Sequence, residues 1–392
     1  MPIFNKYMSW LFAISLLTPL AACTARPGAP GAGTSVSQDS QEILIGHVGS
    51  LTGNEASFGI STENGVKLAL AEINASGGVR GKKLRLISLD DQGKPEEAAI
   101  AVTKLVTQDH VAAVLGEVAS SRSIAMAPIA QRYQVPMISP TSTNPRVTQT
   151  GNYIFRVCFI DPFQGRVMAK FALEQLKAKR VAVLRDVKND YSVGLANFFT
   201  QTFKAGGGEI VIDESYSAGD SDFKSQLTSI KAQNPDAIFV PGYYGDVALI
   251  MKQRVDLGIQ APLLGGDGWD SPKLSEIAGT AMGGNYFSNH YSFESTDPAV
   301  VQFVATYRKA YNGVTPDSMA ALGYDAAKIL ANAMTRAKSL SGPDLRDAIA
   351  ATHDYPAVTG KITLDQDRNA IKSAVVLQTV GSQYKYLTTV SP

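Results

Sequence analysis

The sequence predicts an α/β protein made of two doubly wound, Rossmann-like lobes joined by three crossover segments. Three observations carry that prediction. Strand-like and helix-like signals alternate along most of the 392 residues, and such alternation means a parallel sheet with helices on its faces. The alternation runs in two separate series of similar length, one before and one after Asp161, as two lobes require. It breaks near the C-terminus, where two long helical stretches precede three strand-like runs, which lets the chain return to each lobe in turn.

Before the first series lies a leader. Lys6 precedes an apolar run from Met8 to Leu20, too short to span a bilayer comfortably but suited to the core of a secretory signal. The run ends in Leu20-Ala21-Ala22-Cys23, which resembles the lipobox of bacterial lipoproteins. That resemblance implies cleavage after residue 22, lipidation of Cys23 and attachment to a membrane. The stretch from Thr24 to Gln41 is rich in Pro, Gly, Ala and Ser without apolar periodicity, and reads as a flexible tether reaching roughly 20–25 Å.

The first series then opens. Ile43–Val48 reads as a strand, Gly65–Asn74 has helical spacing, and Leu84–Leu89 is a strand followed by Asp90-Asp91. Pro95–Gln108 reads as a helix with Pro and two Glu in its first turn, as the helix dipole favours. The second series comprises helix Pro162–Lys177, strand Arg180–Leu184, helix Tyr191–Lys204, strand Glu209–Ile212 and helix Ser221–Gln233. Strand Ala237–Val240, helix Asp246–Leu257 and strand Pro262–Gly265 continue it. Helices Pro298–Tyr311, Ser318–Ala337 and Pro343–Ala351 are assigned to the first lobe, and strands Gly360–Leu364, Ser373–Val380 and Tyr384–Val390 to the second. The first lobe is thus expected to hold residues 42–160 and 290–357, and the second 161–289 and 358–392.

One stretch of the first series is unusually rich in hydroxyls. The strand Ala112–Leu115 is broken at Gly116, and helical spacing begins after Ser120 and Ser121. The first backbone N–H groups of a helix have no intrahelical partners and favour anions. The next strand, Val135–Ile138, ends in Ser139-Pro140 followed by Thr141, Ser142 and Thr143. Ligands of open parallel sheets bind outside the carboxyl ends of strands, so these five hydroxyls can line a polar pocket. The commoner fate of such residues is to cap helices and turns.

Composition narrows the function. A net charge of +1 without long runs of one sign argues against a nucleic-acid partner. Cys158 is the second of two cysteines; with Cys23 lipidated, no intramolecular disulfide can form, and Cys158 within an apolar strand reads as a small buried hydrophobe. The four histidines are scattered, and no nucleophile elbow, phosphate loop or paired-histidine metal spacing occurs. Neither an enzyme nor a cofactor is expected.

Several segments together resemble the branched-chain amino-acid-binding family of periplasmic solute receptors, which have the type I fold and serve ABC transporters. They include GHVGSLTGNEASFGISTENGVKLALAEINASGGVRGKKL, Asp90-Asp91, GEVASSRS, VPMISPTSTNPRVT, PGYYGDV, GGDGWDSP and GYDAAK. Their order over about 350 residues carries the resemblance. It implies that Ser120 receives a ligand α-carboxylate, that Thr141 offers its carbonyl to the α-ammonium, and that Thr143 reaches the groups on the α-carbon. Ser121 and Ser142 are neighbours of that site. From the second lobe it implies that Tyr243 closes over the ligand, that Asp267 pairs with the ammonium, and that Tyr191, with Phe58 of the first lobe, meets the ligand side chain. The acid is Asp where the best-known leucine binders carry Glu, and their first-lobe disulfide has no counterpart.

The resemblance further implies a monomer that passes its amino acid to ABC permease subunits, working by hinge closure around crossovers near residues 160, 290 and 358. A sensor of the same fold, or a receptor for an amide, urea or aromatic acid, would share the pocket.

Overall fold

The computed structural model describes residues 41–392. The leader, Cys23 and nearly all of the expected tether lie outside the described residues.

The first five strands form one parallel sheet in the order β2-β1-β3-β4-β5. They are β1 (Glu42–Gly49), β2 (Lys83–Asp90), β3 (Ala113–Leu115), β4 (Met137–Ser139) and β5 (Ile154–Arg156), with helices α1 (Ala56–Ala75), α2 (Pro95–Thr107), α3 (Ser120–Arg132) and the short α4 (Arg146–Gln149) between them. In α2, Pro95, Glu96 and Glu97 occupy the first turn and Lys104 the last, the charge order that the helix dipole favours. A second sheet has the order β15-β14-β10-β9-β8-β6-β7. Its strands β6 (Arg180–Asp186), β7 (Glu209–Tyr216), β8 (Ala237–Phe239), β9 (Leu263–Gly265) and β10 (Tyr286–Asn289) are parallel. Helices α5 (Asp161–Lys170), α6 (Asp190–Ala205), α7 (Lys224–Ala232), α8 (Tyr244–Asp256) and α9 (Pro272–Ala278) connect them. Each sheet with its covering helices forms one lobe.

The chain then returns to the first lobe through α10 (Pro298–Ala310), α11 (Ser318–Arg336) and α12 (Gly342–Ala350). Helix α11 lies so close to α1 that a Cβ on Gly65 would stand 2.0 Å from the Ala320 carbonyl oxygen; only glycine permits that approach. Strands β14 (Ala374–Val380) and β15 (Gln383–Val390) finish the second sheet, β14 antiparallel to β10 and β15 antiparallel to β14.

The central strands of each sheet are buried on both faces. In the first lobe, Ile43 and Ile45 pack with Val66, Leu330 and Met334 on one side, and Val48 and Val114 with Val102, Leu105 and Met126 on the other. In the second, Val181, Val183 and Phe239 meet Val167, Leu195 and Phe199, while Ala182 and Leu184 meet Leu227, Val247 and Met251. Phe199 stacks on Phe239 with ring centroids 3.9 Å apart. Burying one such side chain contributes ~1.5–3 kcal/mol.

Three expectations need correction. Strand Gly360–Leu364 does not join the second sheet: as β12 it pairs with β11 (Tyr355–Ala357) and β13 (Ala370–Ile371), and Ile362 and Leu364 enter the first-lobe core. The last passage between lobes therefore lies near Lys372, not residue 358. Helix α1 begins at Ala56, nine residues before the expected Gly65, because Phe58 is anchored by contacts from the other lobe. The helix expected to run unbroken to Lys177 gives way after Lys170 to a π-helical turn, Phe171–Gln175.

Candidate functional site

In both sheets the strand order reverses beside the first strand of its series, between β1 and β3 and between β6 and β8. Crevices form outside the carboxyl ends of strands at such points, and here the two crevices face each other. Between them lies a small cavity lined by Phe58, Val118, Ala119, Ser120, Thr141, Tyr191, Tyr243, Asp267, Gly268 and Met319. All but Met319, which sits in the first turn of α11, come from segments following the ends of β1, β3, β4, β6, β8 and β9.

The first-lobe wall carries the hydroxyl-bearing residues Ser120 and Thr141. Ser120 is the first residue of α3, and its Oγ accepts the Asn144 N–H at 3.2 Å, which fixes the hydroxyl against the Thr141–Asn144 turn. Thr141 donates its hydroxyl to the Val118 carbonyl at 3.0 Å. The turn itself is held from behind by Arg156, which is wholly buried and donates to the carbonyls of Ser142 (2.5 Å) and Asn144 (2.9 Å). Arg122 of α3 ties the loop before α1 to this wall, pairing with Glu55 at 2.6 Å and with Glu117 at 3.0 Å.

The second-lobe wall carries one acid. Asp267 follows β9 and is 3% exposed; its Oδ1 accepts from Gln164 Nε2 at 2.7 Å and its Oδ2 from His290 Nε2 at 2.9 Å. Tyr191 and Tyr243 stack with centroids 5.3 Å apart, and the Tyr191 hydroxyl accepts the Gly268 N–H at 3.2 Å. Burial pushes both phenols well above their ordinary value, so neither adds charge at neutral pH. Phe58 crosses from the first lobe to meet Tyr243 and Tyr244 edge-on, at 5.6 and 4.8 Å.

The structure thus brings Phe58, Ser120, Thr141, Tyr191, Tyr243 and Asp267 to one cavity, and leaves Ser121, Ser142 and Thr143 off its lining. Ser121 Oγ accepts the Asp190 N–H of the other lobe at 3.0 Å. Ser142 points inward, where its hydroxyl, Ser123 and Ser139 all donate to the Glu117 carbonyl. Thr143 is buried behind the cavity, its carbonyl accepting the Asp161 N–H at 3.0 Å. Cys158 is buried with its thiol pushed up to about 12, which suits the packing role expected of it.

Gln164, His290, Val118 and Met319 escaped the sequence reading. His290 stood out only as one of four scattered histidines, and Gln164 lies 103 residues from the acid it touches.

A family model described as periplasmic binding protein matches residues 42–385. The Leu/Ile/Val-binding protein BraC3 of Rhizobium johnstonii is 32% identical over 324 residues, 82% of this chain and 87% of that protein. Among solved structures, a leucine-binding protein of Thermotoga maritima has 39% identity and a TM-score of 0.86, with 89% of this chain and 99% of that one covered. The branched-chain amino acid transporter substrate-binding protein LivJ of Streptococcus pneumoniae, in complex with isoleucine, has 35% identity and a TM-score of 0.85, covering 90% and 100%. Fold, cavity and similarity agree: the chain belongs to the periplasmic binding protein family and has its type I two-lobed architecture.

Proposed function

We propose that this protein is the extracytoplasmic solute-binding component of an ABC transporter, which captures an amino acid with a branched or otherwise hydrophobic side chain between its lobes and delivers it to membrane permease subunits. The observation that carries the reading is the opposition of two charged needs across one small cavity. On one side stand the N-terminal amides of α3 with the Ser120 hydroxyl; on the other stands the buried carboxylate of Asp267, whose protein partners are an amide and an imidazole. A zwitterion satisfies both, through charge-assisted hydrogen bonds that gain strength where water is excluded. Phe58, Val118, Tyr191, Tyr243 and Met319 leave an apolar remainder for the side chain.

The names of the relatives support the same ligand class, since they bind leucine, isoleucine or valine. Contacts across the cleft support capture by closure. Tyr244 donates its hydroxyl to the Asn54 carbonyl at 2.7 Å, Ser57 Oγ and Ser271 Oγ lie 2.8 Å apart, and Asn144 Nδ2 donates to the Asp190 carbonyl at 2.8 Å. A ligand favours the closed form through contacts that the open form lacks. Lipidation of Cys23, resting on the leader sequence, would hold the receptor at the membrane.

A thermal-unfolding screen against the amino acids and related acids tests the reading. A ligand at about 100 times its dissociation constant adds about 2.7 kcal/mol of stability; the expected result is a shift with leucine, isoleucine or valine. A shift confined to amides, urea or aromatic acids would replace the amino-acid reading.

A further inference from the structure

Asp267 enters the cavity with both oxygens already held. Oδ1 accepts from Gln164 Nε2 at 2.7 Å and Oδ2 from His290 Nε2 at 2.9 Å. Neither donor lines the cavity. Gln164 lies near the start of α5 and His290 directly follows β10, so the donors come from two of the places where the chain passes between lobes.

We propose that Gln164 and His290 are positioning residues that give the site its preference for ligands bearing a cationic amine over acids of the same shape without one. The proposal rests on the amino-acid reading above and names the residues behind its charge selectivity.

Hydrogen bonds to the charged form of a buried acid favour that form. Donors that are themselves uncharged do so without cancelling the charge. Gln164 is such a donor by its chemistry. His290 is one by its surroundings: it is 2% exposed, its ring stacks on Phe159 with centroids 3.9 Å apart, and burial pushes its imidazole below the ordinary value against the pull of Asp267. Its Nδ1 has no hydrogen-bond partner, so the proton of the neutral ring belongs on Nε2, facing the carboxylate. The Lys372 charge also acts on the imidazole, in the same downward direction, and its ammonium is bonded to the Thr359 hydroxyl.

A carboxylate has about four lone-pair sites, and two are taken. The remaining pair is left for a ligand donor, and neither Gln164 nor the neutral His290 ring brings a positive charge to the carboxylate. Burying a charge without a counter-charge is costly; a ligand ammonium removes that cost, and a methylene in its place does not. A lysine or arginine in place of either donor would have neutralised Asp267 from within and abolished the discrimination.

The test is the ratio of dissociation constants for leucine and for 4-methylpentanoate, which is leucine without its amine, measured by calorimetric titration of the whole chain. Loss of a merely structural contact weakens both probes together, whereas loss of charge selectivity changes the ratio. The wild type is expected to favour leucine, and Gln164→Met and His290→Phe to reduce that preference by roughly tenfold or more, the scale of a hydrogen bond to a charged group. His290→Gln, which restores an uncharged N–H, should recover most of it. His290→Lys, which sets a permanent cation against Asp267, should lose it. Unfolding transitions recorded alongside identify any variant that does not fold, and the others still decide the question. If the wild type binds both probes equally, the amino-acid reading and this inference fall together. If the wild type discriminates and all folded variants keep its ratio, the inference alone is overturned.

Discussion

Ser121, in the first turn of α3, accepts a hydrogen bond from the backbone N–H of Asp190 at 3.0 Å, and so ties the first lobe to the start of α6 in the second. The same Asp190 receives Arg146 Nη1 on its carboxylate at 2.7 Å and Asn144 Nδ2 on its carbonyl at 2.8 Å. One residue of the second lobe is gripped by three of the first, beside the cavity but outside it.

That grip predicts an effect on ligand residence, not recognition. Ser121→Ala removes a neutral hydrogen bond worth ~0.5–1.5 kcal/mol, and Arg146→Ala removes a largely exposed ion pair worth at most ~1 kcal/mol. Each variant should weaken leucine binding by roughly two- to tenfold, chiefly through faster dissociation. Stopped-flow fluorescence separates the rates. Slower association with unchanged dissociation would mean that the grip does not belong to the closed form.

Asp161 predicts how stability varies with pH. Burial pushes its carboxyl from 3.8 up to about 8, with the Thr143 hydroxyl and the Arg156 charge opposing and Asp267 reinforcing. The folded protein thus keeps a proton that the unfolded chain releases. The associated stability is complete below about pH 4 and is lost as pH rises towards 8, at about 1.4 kcal/mol for each pH unit in between. Asp246 and Asp317, both pushed up to about 7 by burial, act in the same direction. Asp161→Asn should therefore flatten the decline between pH 4 and 8 and gain more than about 1 kcal/mol on the wild type at pH 8. Urea unfolding across that range measures it; parallel curves for the two proteins would show that Asp161 is ionised in the folded state.

The leader predicts location. If the acyl chains on Cys23 are the anchor, Cys23→Ser should move the protein out of the membrane fraction. Unchanged partitioning would refute the lipid anchor.

The two alternating series were legible because the central parallel strands β3, β4, β5, β8 and β9 are buried throughout and read as short apolar runs. The crevice was legible from the strand ends alone. Composition could not separate one hydroxyl from another: Ser120 and Ser121 are adjacent, yet one faces the cavity and the other the neighbouring lobe. Ser142 was lost to an internal demand, since three hydroxyls share the Glu117 carbonyl. The first turns of α1 were illegible because Ala56–Ser61 has little apolar spacing of its own, and Phe58 finds its partners in Tyr243 and Tyr244. Gln164 and His290 gave no local signal, because their purpose is set by a residue distant in sequence.

Whether Asp267 meets the amine of a bound amino acid is decided by calorimetric titration of leucine into the wild type and Asp267→Ala. One site per chain is expected in the wild type, with at least roughly a hundredfold weaker binding in the variant, the scale of a buried charge pair broken by removing one partner. Leucine binding unchanged in Asp267→Ala would contradict it.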